Sequence, residues 1–248
     1  MFKIALKMLF GDRAKYLGMI FGVTFASLVI TQQMSIFVGL MTRTYGFLTD
    51  TPAPDLWIMD PKVQYVDDIK PLQDTQILRV RGIEGVQWAV PLYKGQLRAR
   101  LPDGTFQTCN VIGLDDATLI GGPPRIVEGR LSDLRGSDSI LVDTVGAKGK
   151  LAKPGKDPES PKTPLKVGDI LELNDNRAVV AGFAEVSRTF QSQPVIYTTY
   201  SRATQFAPRE RKLLSYILVK AKEGTNIKEL ANRITNSTNL SAYTKDEF

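Results

Sequence analysis

Apolar and charged positions are sharply segregated at the start of this chain. From Tyr16 to Thr42 no Asp, Glu, Lys or Arg occurs, and Lys15 and Arg43 bound the stretch. A helix rises about 1.5 Å per residue, so about 20 apolar residues cross a hydrocarbon core about 30 Å thick. The pattern predicts a transmembrane helix over residues 16–42, long enough to span with some tilt. Beyond it the pattern changes to short apolar runs broken by turn residues. "DLWIMD" (Asp55–Asp60) alternates as a short strand does. Asp74 is placed to cap a short helix through Arg81 that Gly82 closes. Val86–Leu101 reads as a long strand, Pro102-Asp103-Gly104 as a turn, and Phe106–Leu114 as the returning antiparallel strand.

Gly121-Gly122-Pro123-Pro124 interrupts the pattern, and "SILVD" (Ser139–Asp143) follows as a buried strand. Lys153–Pro164, rich in proline and without apolar periodicity, reads as a mobile loop. Asp169–Val186 reads as a second hairpin around Asn174-Asp175-Asn176, and Pro194–Tyr200 and Leu213–Lys220 as further strands. Asn226–Thr238 carries helical spacing at Ile227, Leu230, Ala231 and Ile234. The two ends of the outer part mix strands and helices, whereas its middle reads as all-β. The expected fold class is therefore α+β: a subdomain of residues 55–125 plus 205–248, with a β-rich subdomain of residues 126–204 inserted.

The flanks of the span orient it. Lys3, Lys7, Arg13 and Lys15 precede it against Asp12 alone, while Arg43 is followed by Asp50, Asp55 and Asp60. Positive flanks stay cytoplasmic, which places residues 1–15 inside and 44–248 outside. A cleaved signal peptide is the rival reading. Its apolar core is usually about 7–15 residues with a small-x-small cleavage site, and "SIFVGLMTRTYG" offers no such pair, so retention as an anchor is expected. Gly18, Gly22 and Ala26 recur every four residues on one helix face, which lets a partner helix approach, although glycine is common in membrane helices in any case. Gln32 and Gln33 also seek partners in lipid. Residues 1–15 form either an interfacial amphipathic segment, with Phe2, Leu6 and Leu9 opposite Lys3 and Lys7, or a simple basic flank.

Composition narrows the chemistry. There is no histidine in 248 residues, which removes Ser-His-Asp and Cys-His catalysis and the commonest metal ligand. The single cysteine, Cys109, forms neither an internal disulfide nor a thiolate cluster and is expected as a buried strand residue. "GAKGK" (Gly146–Lys150) lacks the spacing of a nucleotide-binding phosphate loop. No catalytic, metal or cofactor residue is therefore assigned. The net charge of +6 is concentrated at the start: residues 1–43 hold five basic residues and one acidic, so the outer part is nearly balanced and gives no reason to expect nucleic acid. The acidic pairs Asp67–Asp68 and Asp115–Asp116 read as loop and cap residues rather than a hydrolytic dyad.

Several phrases, in this order, resemble the MacB/FtsX-type ABC transporter permeases. They are "LKMLFGDRAKYLGMIFGV", "IEGVQWAVPLYKG" (Ile83–Gly95), "VIGLDD" (Val111–Asp116), "IVEGR" (Ile126–Arg130), "LKVGDILEL" (Leu165–Leu173) and "YILVKAKEGTNIKELANRI". "DLWIMDPKVQYVDDIKPLQDT" is most similar to their DevC-like branch, linked to glycolipid export in cyanobacteria. The resemblance implies a bacterial inner-membrane permease with four spans per subunit, working as a homodimer. Its periplasmic core domain would contain a porter-like α+β part, here 55–125 plus 205–248, and the β-rich part 126–204. It implies a separate ABC ATPase subunit, a periplasmic adaptor protein, and a role in relaying ATP-driven motion rather than an active site. In that family the sequence after "SAYTKDEF" approaches a second span, so the chain is expected to be a fragment or a natural truncation that does not transport alone. Two other readings are an anchored binding or assembly module with one span, and an anchored carboxylate hydrolase, which the missing histidine and absent motifs disfavour.

Overall fold

The computed structural model describes residues 3–4, 11–155, 161–188, 191–208 and 214–248. They divide into two units, Met1–Thr44 and Tyr45–Phe248. In the first, α1 (Arg13–Thr44) is a 32-residue helix with no buried residue. It is long and apolar enough to cross a membrane, at about 48 Å from its rise per residue. It runs beyond residues 16–42 at both ends and takes in Lys15 and Arg43. The hydroxyls of Ser35, Thr42 and Thr44 donate to the carbonyls of Thr31, Val38 and Met41, so these polar groups are satisfied inside the helix. Phe2, Leu6, Leu9 and Lys7 of the expected amphipathic segment lie outside the described residues.

The outer unit begins with a short helix that the sequence did not announce, α2 (Gly46–Asp50). Then come β1 (Leu56–Met59), α3 (Thr75–Arg81), β2 (Val86–Arg100) and β3 (Phe106–Leu114). They are followed by β4 (Arg125–Glu128), a 3₁₀ turn (Leu131–Arg135), β5 (Ser139–Asp143) and α4 (Thr144–Lys148). The chain continues through β6 (Ile170–Leu173), β7 (Asn176–Glu185), β8 (Val195–Thr199), α5 (Tyr200–Phe206), β9 (Tyr216–Ala221), α6 (Ile227–Thr238) and β10 (Ser241–Tyr243). The middle is thus not all-β: α4, α5 and the 3₁₀ turn interrupt it. α5 follows β8 directly and buries Ala203 and Phe206.

The strands pair in the order β10-β1-β9-β2-β3-β8-β5-β7-β4, with β6 pairing both β2 and β7. β2 changes partner along its length: Val86–Leu92 pair with β9, and Tyr93–Arg100 pair with β3. Both expected hairpins form. Arg100 opposes Phe106 across the Pro102-Asp103-Gly104 turn. Leu173 opposes Asn176 across Asn174 and Asp175, whose φ values of 48° and 63° are those of a type I′ turn. The pairings β3–β8 and β5–β7 are parallel.

Layering explains a departure from simple alternation. All four residues of β1 are buried. Leu56 and Ile58 join the core under α3 and α6, with Val80, Leu230 and Ile234, while Trp57 and Met59 face a second core with Leu92, Tyr216, Leu218 and Tyr197. A third core holds Cys109, Val142, Ile196 and Phe206. A strand covered on both faces loses its polar side. α6 follows its spacing closely: Asn226 caps it by accepting from the Lys228 and Glu229 N–H groups, and Leu230, Ala231 and Ile234 are buried. Asp74 does precede α3, but its side chain makes no capping bond.

Candidate functional site

Within the outer unit, the segment that leaves α1 is held at two distant points. Asp50, the last residue of α2, is buried. Its carboxylate accepts hydrogen bonds from the Ser187 N–H (2.7 Å) and the Ser187 hydroxyl (2.8 Å), just beyond β7. Gly46 lies so close that a Cβ there would stand 2.8 Å from Ser187 Cβ. On the other side Phe47 meets Trp57 of β1 edge-on, with ring centroids 5.6 Å apart. Leu48 is 1% exposed between them. Two buried side-chain polar atoms without a partner among the described residues, Thr51 Oγ1 and Trp57 Nε1, border this junction.

Phe47 also carries a charge above its ring. Lys94 Nζ stands 5.0 Å from the Phe47 centroid, at cation–π distance. Lys94 is 4% exposed, an unusual position for a lysine, and burial lowers its pKa while Asp67 opposes that shift. Its ammonium donates to the Asp67 carboxylate and to the Val66 carbonyl (2.9 Å), which also accepts from the Tyr216 hydroxyl (2.8 Å). The main chain of Lys94 is tied at both ends by the Ser215 hydroxyl. Beside it lies a cavity of about 490 Å³, lined by Tyr65, Asp67, Asp68, Tyr93, Lys94 and Gln96 among others. The sequence singled out Asp67 but not Lys94, because Lys94 lies in a run that reads simply as strand.

A second cavity, about 240 Å³, lies between α4 and the ends of β7 and β8. Asp143 lines it, 7% exposed, and its carboxylate accepts from the Gly146 N–H at the start of α4. Burial pushes its pKa up to about 6. "GAKGK" is the end of α4 and the turn after it, where Lys150 donates to the Ser192 carbonyl.

The other residues marked in the sequence fall apart in space. Asp68 pairs with Lys70, Asp115 accepts from the Thr118 N–H and hydroxyl, and Asp116 accepts from Ser201. Among the described residues no three His, Cys, Asp or Glu side chains cluster as a metal site would. Cys109 is fully buried on β3. Gly18, Gly22 and Ala26 lie on α1 at helical spacing, and a Cβ on Gly18 or Gly22 would meet nothing within 4 Å.

An apolar helix long enough to span a membrane, leading through a short helix into a mixed α and β body, is the architecture of a domain with a membrane anchor. The model of the MacB-like periplasmic core domain matches residues 16–237, and the chain belongs to that family, the outer domain of ABC transporter permeases. Two solved structures share the fold. The periplasmic region of MacB from Actinobacillus actinomycetemcomitans matches with a TM-score of 0.55 at 16% identity, over 80% of this chain and 92% of that one. The extracellular domain of the noncanonical ABC-type transporter YknZ from Gram-positive bacteria matches with a TM-score of 0.51 at 13% identity, over 77% of this chain and 99% of that one. No curated protein sequence matches this chain.

Proposed function

We propose that this chain is the anchored outer part of an ABC export permease that relays ATP-driven motion to a periplasmic adaptor. The observation that carries the reading is the extent of the family match, which runs from residue 16 in the apolar helix to residue 237 in α6. In this reading Lys3, Lys7, Arg13 and Lys15 hold the N-terminus in the cytoplasm, and residues 44–248 stand in the periplasm of a bacterial inner membrane. Two copies pair, with Gly18, Gly22 and Ala26 at the helix contact. ATP is hydrolysed on a separate subunit.

The outer body works as two parts, 55–125 plus 205–248 and 126–204. Support for the second part comes from strands of 126–204 pairing with one another, β5 and β6 each with β7 and β5 also with β8. The test is purification of the gene product from its native membrane. Recovery of an ABC ATPase and a periplasmic adaptor in fixed proportion is expected. Purification alone would favour an anchored binding module, and ATP hydrolysis by the isolated chain would overturn the division of labour.

A further inference from the structure

We propose that α2 is a two-point clamp that converts displacement of the membrane helix into a change of access to the cavity between β2 and residues 65–71, with Lys94 as the link. The inference rests on the relay reading above. Only Tyr45 separates α1 from α2, so any force on the end of α1 reaches α2 through the backbone. α2 then grips two regions that the sheet keeps apart. Asp50 holds Ser187 after β7, and Phe47 holds Trp57 of β1 and Lys94 of β2.

The Phe47 contact is the one that reaches the cavity. The Lys94 ammonium is buried with three neighbours around it: the Phe47 ring, the Val66 carbonyl and the Asp67 carboxylate. A buried cation that loses one of so few partners must recover them elsewhere or be solvated. Withdrawal of Phe47 therefore frees Lys94 to follow Asp67 outward. Asp67 is 42% exposed at its side chain and stands on the cavity wall, so its movement alters the entrance. The clamped arrangement also leaves Thr51 Oγ1 and Trp57 Nε1 buried without partners among the described residues, Thr51 directly after α2 and Trp57 against Phe47. Such groups raise the energy of this arrangement relative to one that pairs them, as expected of an element with two positions.

The experiment uses the full chain with a reporter thiol from Ile69→Cys, half-buried on the cavity wall. Cys109 is fully buried, so it contributes no background. Phe47→Ala and Asp50→Ala should each speed maleimide labelling at the reporter at least threefold, while Ile227→Ala, at the exposed start of α6, should leave it unchanged. Equal rates in all folded variants would overturn the clamp. Because Asp50→Ala could unfold the junction, a locking pair supplies a second arm. Gly46→Cys with Ser187→Cys places the two Cβ positions 2.8 Å apart, under the usual disulfide spacing of about 3.8 Å, so the bridge forms once the two segments part by about 1 Å.

In the complex with its ATPase, nucleotide should change the reporter rate in the unlocked protein. The disulfide should abolish that change while ATP hydrolysis continues, and reduction should restore it. A nucleotide response that persists in the locked protein overturns the clamp. No response in the unlocked protein, with the Phe47→Ala effect intact, overturns the relay reading and leaves the clamp standing.

Discussion

The Tyr200 hydroxyl donates a hydrogen bond of 2.7 Å to the Asp74 carboxylate, joining the start of α5 to the start of α3 across 126 residues of sequence. Asp74 stands at the capping position of α3, yet its side chain makes no capping bond. Burial raises the pKa of the half-buried Tyr200, and the long-range bond to Asp74 adds to it. Tyr200→Phe is expected to destabilise the outer body by about 1 kcal/mol, the usual net worth of such a bond. In a double-mutant cycle with Asp74→Ala the two effects should be clearly less than additive. Full additivity in denaturant unfolding would show that the bond contributes nothing.

Gly129, the glycine of "IVEGR", has φ +83°. A Cβ there would stand 2.6 Å from the Ala181 carbonyl oxygen on β7. Gly129→Ala combines backbone strain with a clash against main chain and should cost about 1–3 kcal/mol. Thermal unfolding in detergent provides the measurement, and an unchanged midpoint would refute the assignment.

Asp143 makes stability depend on pH. Its folded pKa, about 6, lies above the ordinary carboxylate value. The folded state then holds the proton more tightly than the unfolded chain. This group's contribution is fully present below about pH 4 and is lost as pH rises to about 6, at most about 3 kcal/mol. The groups facing it are the Gly146 and Val195 N–H donors and the Arg188 charge, with Cys109 and Tyr197 nearby. Asp143→Asn should flatten the fall in unfolding free energy over that interval. A slope identical to wild type would assign the pH dependence to other groups.

Cys109 is silenced by its surroundings. Burial pushes its thiol up to about 12, with the Asp143 charge adding to the effect. Native protein at pH 8 should therefore react with a thiol reagent only as fast as the β3 region opens. Immediate stoichiometric reaction would contradict the buried placement.

Helix pairing through α1 has its own check. Gly22→Leu is expected to lower the dimer fraction in bilayers several-fold, because it places a large side chain on the small-residue face. A dimer fraction equal to wild type removes that face from the contact.

Much of the fold is legible in the sequence because its signals are local. Uninterrupted apolarity marks α1, turn residues mark both hairpins, and Asn226 with the spacing of Leu230, Ala231 and Ile234 marks α6. The family resemblance rested on the same local turns, and the model of the periplasmic core domain agrees with it. α5 escaped notice because "YSRATQF" continues the β-branched and aromatic run of β8, and only the burial of Ala203 and Phe206 makes it a helix there. α2 is five residues long, too short for a periodic signal, and it stands because Leu48 and Asp50 find partners on the body.

By itself, then, the sequence determined which segments are apolar enough to cross lipid, and which turn or coil, since these follow from solvent transfer and backbone preference within a few residues. The tertiary structure alone decided the parallel pairing of β3 with β8 and β5 with β7, the burial of Lys94 against Phe47, and the bond from Ser187 to Asp50. Those relationships join residues tens to more than a hundred positions apart. They are set by which faces pack together, and no local pattern of residues encodes them.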